Sequence, residues 1–345
     1  MLSSLGDEKA MSRKKKPTIY DVAKQSGVSI STISRALNTP DKVNPNTHRQ
    51  VMDAIDKLGF VPKAEARARA LQNTGRIGVL TPFFTAPSFV QRLRGVASAL
   101  SKANYELVIY PVDSMDHLQG YISSIPLMGN LDGLIIMSLS LADKDANRLH
   151  DKGMETVLIE YSYLKLNSIL IDDQHGGRLA AEHLIKKGHT RMGFLGDIEP
   201  PERFAIHPVK SRLIGFQQTL KDAGLSLPSS YIRSTSYGRE DSRKAAHELL
   251  NLPKPPTAIF AASDIQALSI MKTARMLNIN IPEDLAVVGF DDIDVAEHVD
   301  LTTVRQQLDE SGRLAAEMVL SRIDNPNRSP QHINLPLTLI ERLTS

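Results

Sequence analysis

The 345-residue sequence predicts a small all-α helix-turn-helix head followed by an α/β body of two Rossmann-like lobes. Three observations carry that prediction. Two short amphipathic helices separated by about three residues stand near the N-terminus, with a third behind them. From Ile77 onward, short apolar strands alternate with amphipathic helices, the pattern of parallel sheets covered on both faces. The alternation runs twice in series, which predicts two similar lobes. The expected boundaries are 1–16 for a disordered basic tail, 17–61 for the helix-turn-helix domain, 62–76 for a hinge helix or linker, and 77–345 for the body.

In the head, Thr18 followed by Asp21 reads as a helix start, because the aspartate can reach back as in a capping box. Tyr20, Val22 and Ala23 begin an apolar stripe, and Gly27 can take positive φ and stop the helix. Ser29 then caps "ISTISRALN", whose Ile33, Ala36 and Leu37 face inward while Ile30, Ser31, Ser34 and Arg35 face outward. Asn44 caps the third helix, with Pro45 in its first turn. Val51, Ile55 and Leu58 lie on one face of it, and Gly59 ends it.

Charge is unevenly spread. Residues 1–76 hold 14 Lys and Arg against 7 Asp and Glu, a net +7, whereas the remainder carries −5. A basic head on an acidic body points to a polyanion partner for the head. There is no cysteine, hence no disulfide framework and no thiolate metal site. No apolar run approaches membrane-spanning length. The opening "MLSSLGDEKAMSRKKKP" lacks the apolar core of a secretory leader, and Met11 is a second candidate start. A reducing cytoplasm is the expected location.

The run "TIYDVAKQSGVSISTISRALN", then "GFVPKAEARAR", resembles the DNA-binding head of the lactose and galactose repressor family. The resemblance implies that the second helix lies in the major groove of double-stranded operator DNA. The family's base-reading positions fall on Ile30, Ser31 and Arg35. Arginine suits guanine O6/N7, and Ile30 offers only apolar contact, as to a thymine methyl. Thr18, Tyr20, Ser29, Thr32, Ser34 and Asn38 fit phosphate contacts that set register. Thr32 and Asn38 fit local capping equally well.

In "VPKAEARARALQNTGR" the family places a hinge helix that enters the minor groove when two subunits sit on one operator. The family's wedge is a leucine, but gapless matching from Pro62 puts Arg69 there. A two-residue shift would bring in Leu71. Leucine wedges and kinks. Arginine is drawn along a narrow A·T-rich groove by its potential. Arg69 is the favoured reading, with Leu71 packing nearby, and a tether without groove contact is the alternative.

The body strands read "IGVL", "YELVIY", "DGLIIM", "TVLIE" and "SILIDD", then "RMGFLGD", "YIRST", "TAIFAASD" and "LAVVGFDD". Ligands of such sheets bind beyond the carboxyl ends of the strands. Polar residues gather there: Ser138, Asp172, Asp173, Asp197, Ser263, Asp264, Asp291 and Asp292. No dinucleotide fingerprint or P-loop appears, and no catalytic Ser/His/Asp set can be picked out, so no enzyme and no cofactor are expected. "DDQHGG" offers Asp172, Asp173 and His175, but no second histidine at ligand spacing, so no metal is expected. Gly176 and Gly177 read instead as the start of the next helix.

"DDQHGGRLAAEHLIKKGHTRMGFLGD", "SRLIGF", "TAIFAASDIQAL" and "PEDLAVVGFDDIDVAEHVDLTTVRQ" are similar to the effector domain of the same repressors, so the likeness covers nearly the whole chain. It implies a periplasmic-binding-protein-like fold that also dimerises. By position, Arg212 and Asp291 should hydrogen-bond an effector, Tyr237 should set a ring against it, and Ser88 and Phe89 match a further contact pair. Ser263 and Asp264 fall at the lip of the second lobe. Asp264 equally fits a cap for "IQALSIMKTA", Asp291 a cap after its strand, and Phe89 a core position. Arg203, of open role, lies in the insertion-like "IEPPERFAIHPVK". That segment and "TPFFTAPS" (Thr81–Ser88) frame the pocket mouth.

The resulting expectation is a transcription repressor that acts as a homodimer on a palindromic operator under control of a small-molecule effector, most simply a mono- or oligosaccharide. A purine-responsive regulator of the same family is the alternative. A free-standing sugar-binding protein is more remote, because it would carry a leader and no basic head.

Overall fold

The computed structural model describes residues 17–38, 42–58, 60, 74–199, 204–235 and 239–345, and divides into two compact units, Met1–Thr74 and Gly75–Ser345. In the first unit, α1 spans Ile19–Ser26, α2 Ile30–Asn38 and α3 Pro45–Leu58. Asp21 Oδ2 accepts from the Thr18 N–H at 2.8 Å and from its hydroxyl at 2.7 Å, which ties down the first turn. Gly27 sits at φ 69°, and its N–H closes the helix on the Ala23 carbonyl. Ser29 Oγ accepts from the Thr32 N–H at 3.2 Å, and Asn44 Oδ1 from the Asn46 N–H at 2.9 Å. A miniature core of Val22, Ile33, Ala36, Val51, Ala54 and Ile55 joins the three helices. Leu37 and Leu58 pack on it while partly buried.

The second unit holds β1 (Arg76–Thr81), α4 (Pro87–Lys102), β2 (Glu106–Pro111), α5 (Met115–Met128), β3 (Gly133–Met137), α6 (Asp143–Asp151), β4 (Glu155–Ile159) and β5 (Asn167–Ile171). A second series follows: α7 (Asp173–Lys186), β6 (Met192–Gly196), α8 (Val209–Asp222), β7 (Ile232–Ser234), α9 (Arg239–Leu250), β8 (Ala258–Ala261), α10 (Asp264–Met276), β9 (Ala286–Asp291), α11 (Asp294–His298) and β10 (Thr302–Arg305). Then α12 (Leu308–Asp324), β11 (His332–Leu335) and β12 (Thr338–Ile340) close the chain.

These strands form two six-stranded sheets, ordered β11-β5-β4-β3-β1-β2 and β12-β10-β9-β8-β6-β7. All pairings are parallel except β10 with β12. Each sheet is covered on both faces. In the first lobe α4 and α12 build one core and α5 and α6 the other. In the second lobe α7 and α8 build one and α9 and α10 the other. Covering both faces explains why the central strands read as unbroken apolar runs. Among the described residues, the chain passes between the sheets three times: after β5, after β10, and between β11 and β12.

Gly176 and Gly177 do not start α7, which begins at Asp173 on the side-chain cap of Asp172. The two glycines lie within it because the helix is pressed against its neighbours. A Cβ on Gly177 would stand 1.9 Å from the Arg212 carbonyl oxygen, and one on Gly215 1.9 Å from that of Gln174. Such backbone-to-backbone approach leaves no side chain to rearrange. Gly215→Ala should therefore cost about 3 kcal/mol or more, read as a lower denaturation midpoint, whereas Ala is otherwise the better helix former. An unchanged midpoint would mean that α7 and α8 separate at no cost.

Candidate functional site

On the head, the expected base-reading residues lie on the open side of α2. Ile30, Ser31 and Arg35 are exposed, while Ile33 and Ala36 of the same helix are buried. Thr18, Tyr20 and Ser29 are also exposed, and Thr32 and Ser34 are half-buried. Ser29 Oγ lies 2.8 Å from Ser31 Oγ and 2.9 Å from Thr32 Oγ1, so the cap and its neighbours form one hydroxyl cluster. The side chain of Asn38 lies outside the described residues, as do Arg69, Leu71, Arg203 and Tyr237.

In the body, a cavity of roughly 610 Å³, solvent-open space included, sits between the lobes beyond the carboxyl ends of the strands. The first lobe contributes Pro82, Phe83, Ser88, Phe89, Arg92, Ser138 and Glu160. The second contributes Asp197, residues 206–209, Arg212, Ala262, Ser263 and Asp291, and Gln306 lies on a crossover. Among the described residues nine non-glycine residues have positive φ, and four of them line the cavity: Phe83, Ser138, Glu160 and Asp291, the last at 115°. Backbone strain of that kind gathers where geometry serves a ligand.

A polar network runs through the wall. Arg212 Nε donates to Asp173 at 2.8 Å and Nη1 to the Ala262 carbonyl at 2.6 Å, and the guanidinium stacks 3.5 Å from the centroid of Phe290. Asp291 stands 4.0 Å from Arg212 and accepts from Gln306 Nε2 at 2.5 Å. Gln306 Oε1 accepts in turn from Arg92 at 2.8 Å. Arg92 also pairs with Glu160 and reaches Ser138 Oγ at 3.3 Å. Away from the arginines the lobes are also tied at the Leu139–Ala205 bridge, where the Ser140 N–H donates to the Phe204 carbonyl at 2.9 Å, and through Asp294. Asp294 accepts from Gln91 at 3.1 Å and from Arg94 at 2.7 and 3.0 Å, and Arg94 also holds Asp309.

Burial opposes the charge on Glu160, but Arg92, helped by the Ser138 hydroxyl, holds it below the usual carboxylate range. Burial pushes Asp173 up against the pull of Arg212, and it pushes Asp197 up as well. Asp291 is pushed up to about 6 by burial, with Arg212 pulling the other way. Burial works against the Arg212 charge, yet Asp173 and Asp291 raise its pKa further. An acid raised in the fold contributes stability that is complete below its unfolded pKa and is lost as pH rises through the folded one. Ionised Asp291 is thus a cost that the ligand-free fold carries above about pH 6.

The cavity brings together Ser88, Phe89, Arg212, Ser263 and Asp291. Asp264 is not on its wall. That carboxylate is buried, accepting from Thr303 Oγ1 at 2.5 Å and from the Ile293 N–H at 2.8 Å, so it fixes the β9–α11 turn. Nor does it cap α10; Ser263 does, accepting from the Gln266 N–H. Phe89 is half-buried and meets Phe83 edge-on at 6.2 Å. Arg92, Glu160 and Gln306 are wall residues that no sequence signal marked, whereas His207 falls in the segment expected to frame the pocket mouth.

Fold and site together define a two-part protein: a helical nucleic-acid reader joined to a two-lobed receptor with a polar interlobe cavity. Residues 18–63 match the model of bacterial regulatory proteins of the lacI family, and 181–345 that of a periplasmic binding protein-like domain. The ribose operon repressor of Escherichia coli K12 is 30% identical over 331 residues, covering 94% of this chain and 98% of that protein. The repressor PurR of Photorhabdus laumondii is 30% identical over 332 residues, covering 94% and 96%. The solved complex of the regulator CelR with cellobiose superposes with a TM-score of 0.68 at 28% identity, covering 95% of this chain and all of that one. The chain belongs to the lacI family of bacterial regulatory proteins and is a DNA-binding transcriptional regulator with a small-molecule effector. Among the described residues no helix is long and apolar enough to cross a membrane.

Proposed function

We propose that the chain is a dimeric repressor that binds a palindromic operator and is controlled by a sugar. The observation that carries the effector class is the pair of buried arginines in one cavity, each held by a carboxylate. Fixed guanidinium forks and carboxylates suit vicinal hydroxyls, which donate to one and accept from the other. Ser88, Phe89, Arg212 and Asp291 form the core of the effector site in this reading, and Tyr237 sets a ring against the ligand. Asp264 supports the wall from behind.

On the head, Arg35, Ile30 and Ser31 read bases, and Thr18, Tyr20, Ser29, Thr32, Ser34 and Asn38 hold phosphates. Arg69, with Leu71 beside it, enters the minor groove. Any change in operator affinity on effector binding equals the difference in effector affinity between the two states of the protein. The cytoplasm, where operator DNA is reached, is the proposed location. A thermal-shift screen of the full chain against sugars, sugar phosphates and purine bases tests the reading. A sugar should raise the midpoint, whereas stabilisation by hypoxanthine or guanine alone would replace it with a purine regulator.

A further inference from the structure

The helices that follow the first strand of each lobe, α4 after β1 and α8 after β6, carry one pattern, Arg-Leu-x-Gly, at Arg92–Gly95 and at Arg212–Gly215. The pattern does the same structural work in both. A Cβ on Gly95 would stand 1.9 Å from the Asp309 carbonyl oxygen, and one on Gly312 1.9 Å from that of Arg92. Gly215 and Gly177 make the matching pinch against Gln174 and Arg212. Each arginine is therefore seated at a helix crossing, one turn before its glycine, on the cavity wall. Arg92 is 2% exposed and Arg212 4%.

The two differ in partners. Arg212 meets Asp173, a backbone carbonyl and an aromatic face. Arg92 meets Glu160, Ser138 and Gln306, but its Nε has no hydrogen-bond partner among the described residues. A buried guanidinium N–H without an acceptor is a standing cost of the ligand-free state. Around the two arginines stand four acids, Glu160, Asp173, Asp197 and Asp291, with His207 as the further basic side chain on the wall. The arginine charges are thus spoken for by acids of the protein, and among the described residues no surplus positive charge faces the cavity.

We infer that Arg92, with Glu160, is the first-lobe counterpart of Arg212, and that the site takes an uncharged polyhydroxylated effector spanning both lobes and rejects phosphorylated sugars. This rests on the sugar reading above. The Arg92 N–H donors and the Glu160 carboxylate take one end of the ligand and Arg212 with Asp291 the other. Gln306 joins the two ends, so both lobes grip at once. A phosphate dianion entering here would meet two arginines already paired and the acids beside them.

The test uses the full-length protein and calorimetric titration with glucose, ribose, maltose and cellobiose, with glucose 6-phosphate and ribose 5-phosphate, and with hypoxanthine and guanine. The wild type should bind a neutral sugar at least tenfold more tightly than any phosphate ester. Arg92→Met/Glu160→Met, which removes both charges and so leaves neither buried alone, should fold and lose at least tenfold in that affinity. Glu160→Gln, which frees one guanidinium charge, should narrow the preference against the phosphate ester, an effect a purely structural role would not produce. A phosphorylated sugar binding more tightly than every neutral one, or the double variant binding its sugar within twofold of wild type, overturns this inference and leaves the sugar reading standing. Binding of a purine and of no sugar overturns both.

Discussion

Asp291→Ala should lower effector affinity by roughly 10–150-fold, the 1.5–3 kcal/mol of a hydrogen bond to a charged group, while operator affinity stays within about twofold. The carboxylate is seated at the end of β9 at φ 115°, within reach of Arg212 and bonded to Gln306. Removing it frees Gln306 and withdraws one of the two acids nearest the arginine. The same group predicts a pH profile. Burial pushes Asp291 up to about 6, so the charged acceptor is progressively lost below that pH. Effector affinity should fall from pH 7 to pH 5 in the wild type, and should fall less in the alanine variant. Titration calorimetry paired with fluorescence anisotropy on operator DNA separates the two effects. An intact effector response in Asp291→Ala sinks the assignment.

Arg35→Ala should abolish operator preference without abolishing DNA binding. A bidentate arginine–guanine pair contributes about 1–3 kcal/mol of discrimination against the wrong base, roughly 5–150-fold. Arg35 is exposed on α2, on the side away from Ile33 and Ala36, and the hydroxyls that would hold phosphates are separate side chains. Binding to random duplex should therefore persist with almost unchanged salt dependence, since phosphate contacts set that slope. Equal loss on operator and random sequence would assign Arg35 to the backbone instead.

The sequence made the head readable because its signals are local. Thr18 and Asp21, Gly27, Ser29 and Asn44 each act within a few residues, and the structure uses each as a cap or stop. In the body, the edge strands β2 and β7 were read from the alternation around them, and the inner strands β1, β3, β4, β5, β6, β8 and β9 announced themselves as apolar runs because both sheet faces are covered. The strands β10, β11 and β12 did not. They span only four, four and three residues, and β11 and β12 are half-polar edge strands. Three polar residues of the cavity wall, Arg92, Glu160 and Gln306, were equally hidden. Arg92 sits in "FVQRLRGV", where with Gln91 and Arg94 it looks like part of an exposed helix face. It is buried because α4 and α12 meet at Gly95 and Gly312, which are separated by 217 positions in the chain. Glu160 and Gln306 come from ends of strands in different sheets and meet only through Arg92. The repeated Arg-Leu-x-Gly was in plain view, but its meaning depends on the crossing geometry.

The three passages between the sheets also govern how such chains can recombine. Neither lobe is a contiguous stretch: the first is 75–171 with 308–335, the second 172–307 with 336–345. A single crossover near residue 171 would give a hybrid whose first sheet takes its edge strand β11, and the packing helix α12, from the other parent. Whole-lobe exchange between two relatives of this topology requires three junctions, at about 171, 307 and 336. Shuffling by single breaks therefore changes the contents of both lobes at once, and new specificities in this architecture are reached more readily by substitutions along the cavity wall than by swapping its halves.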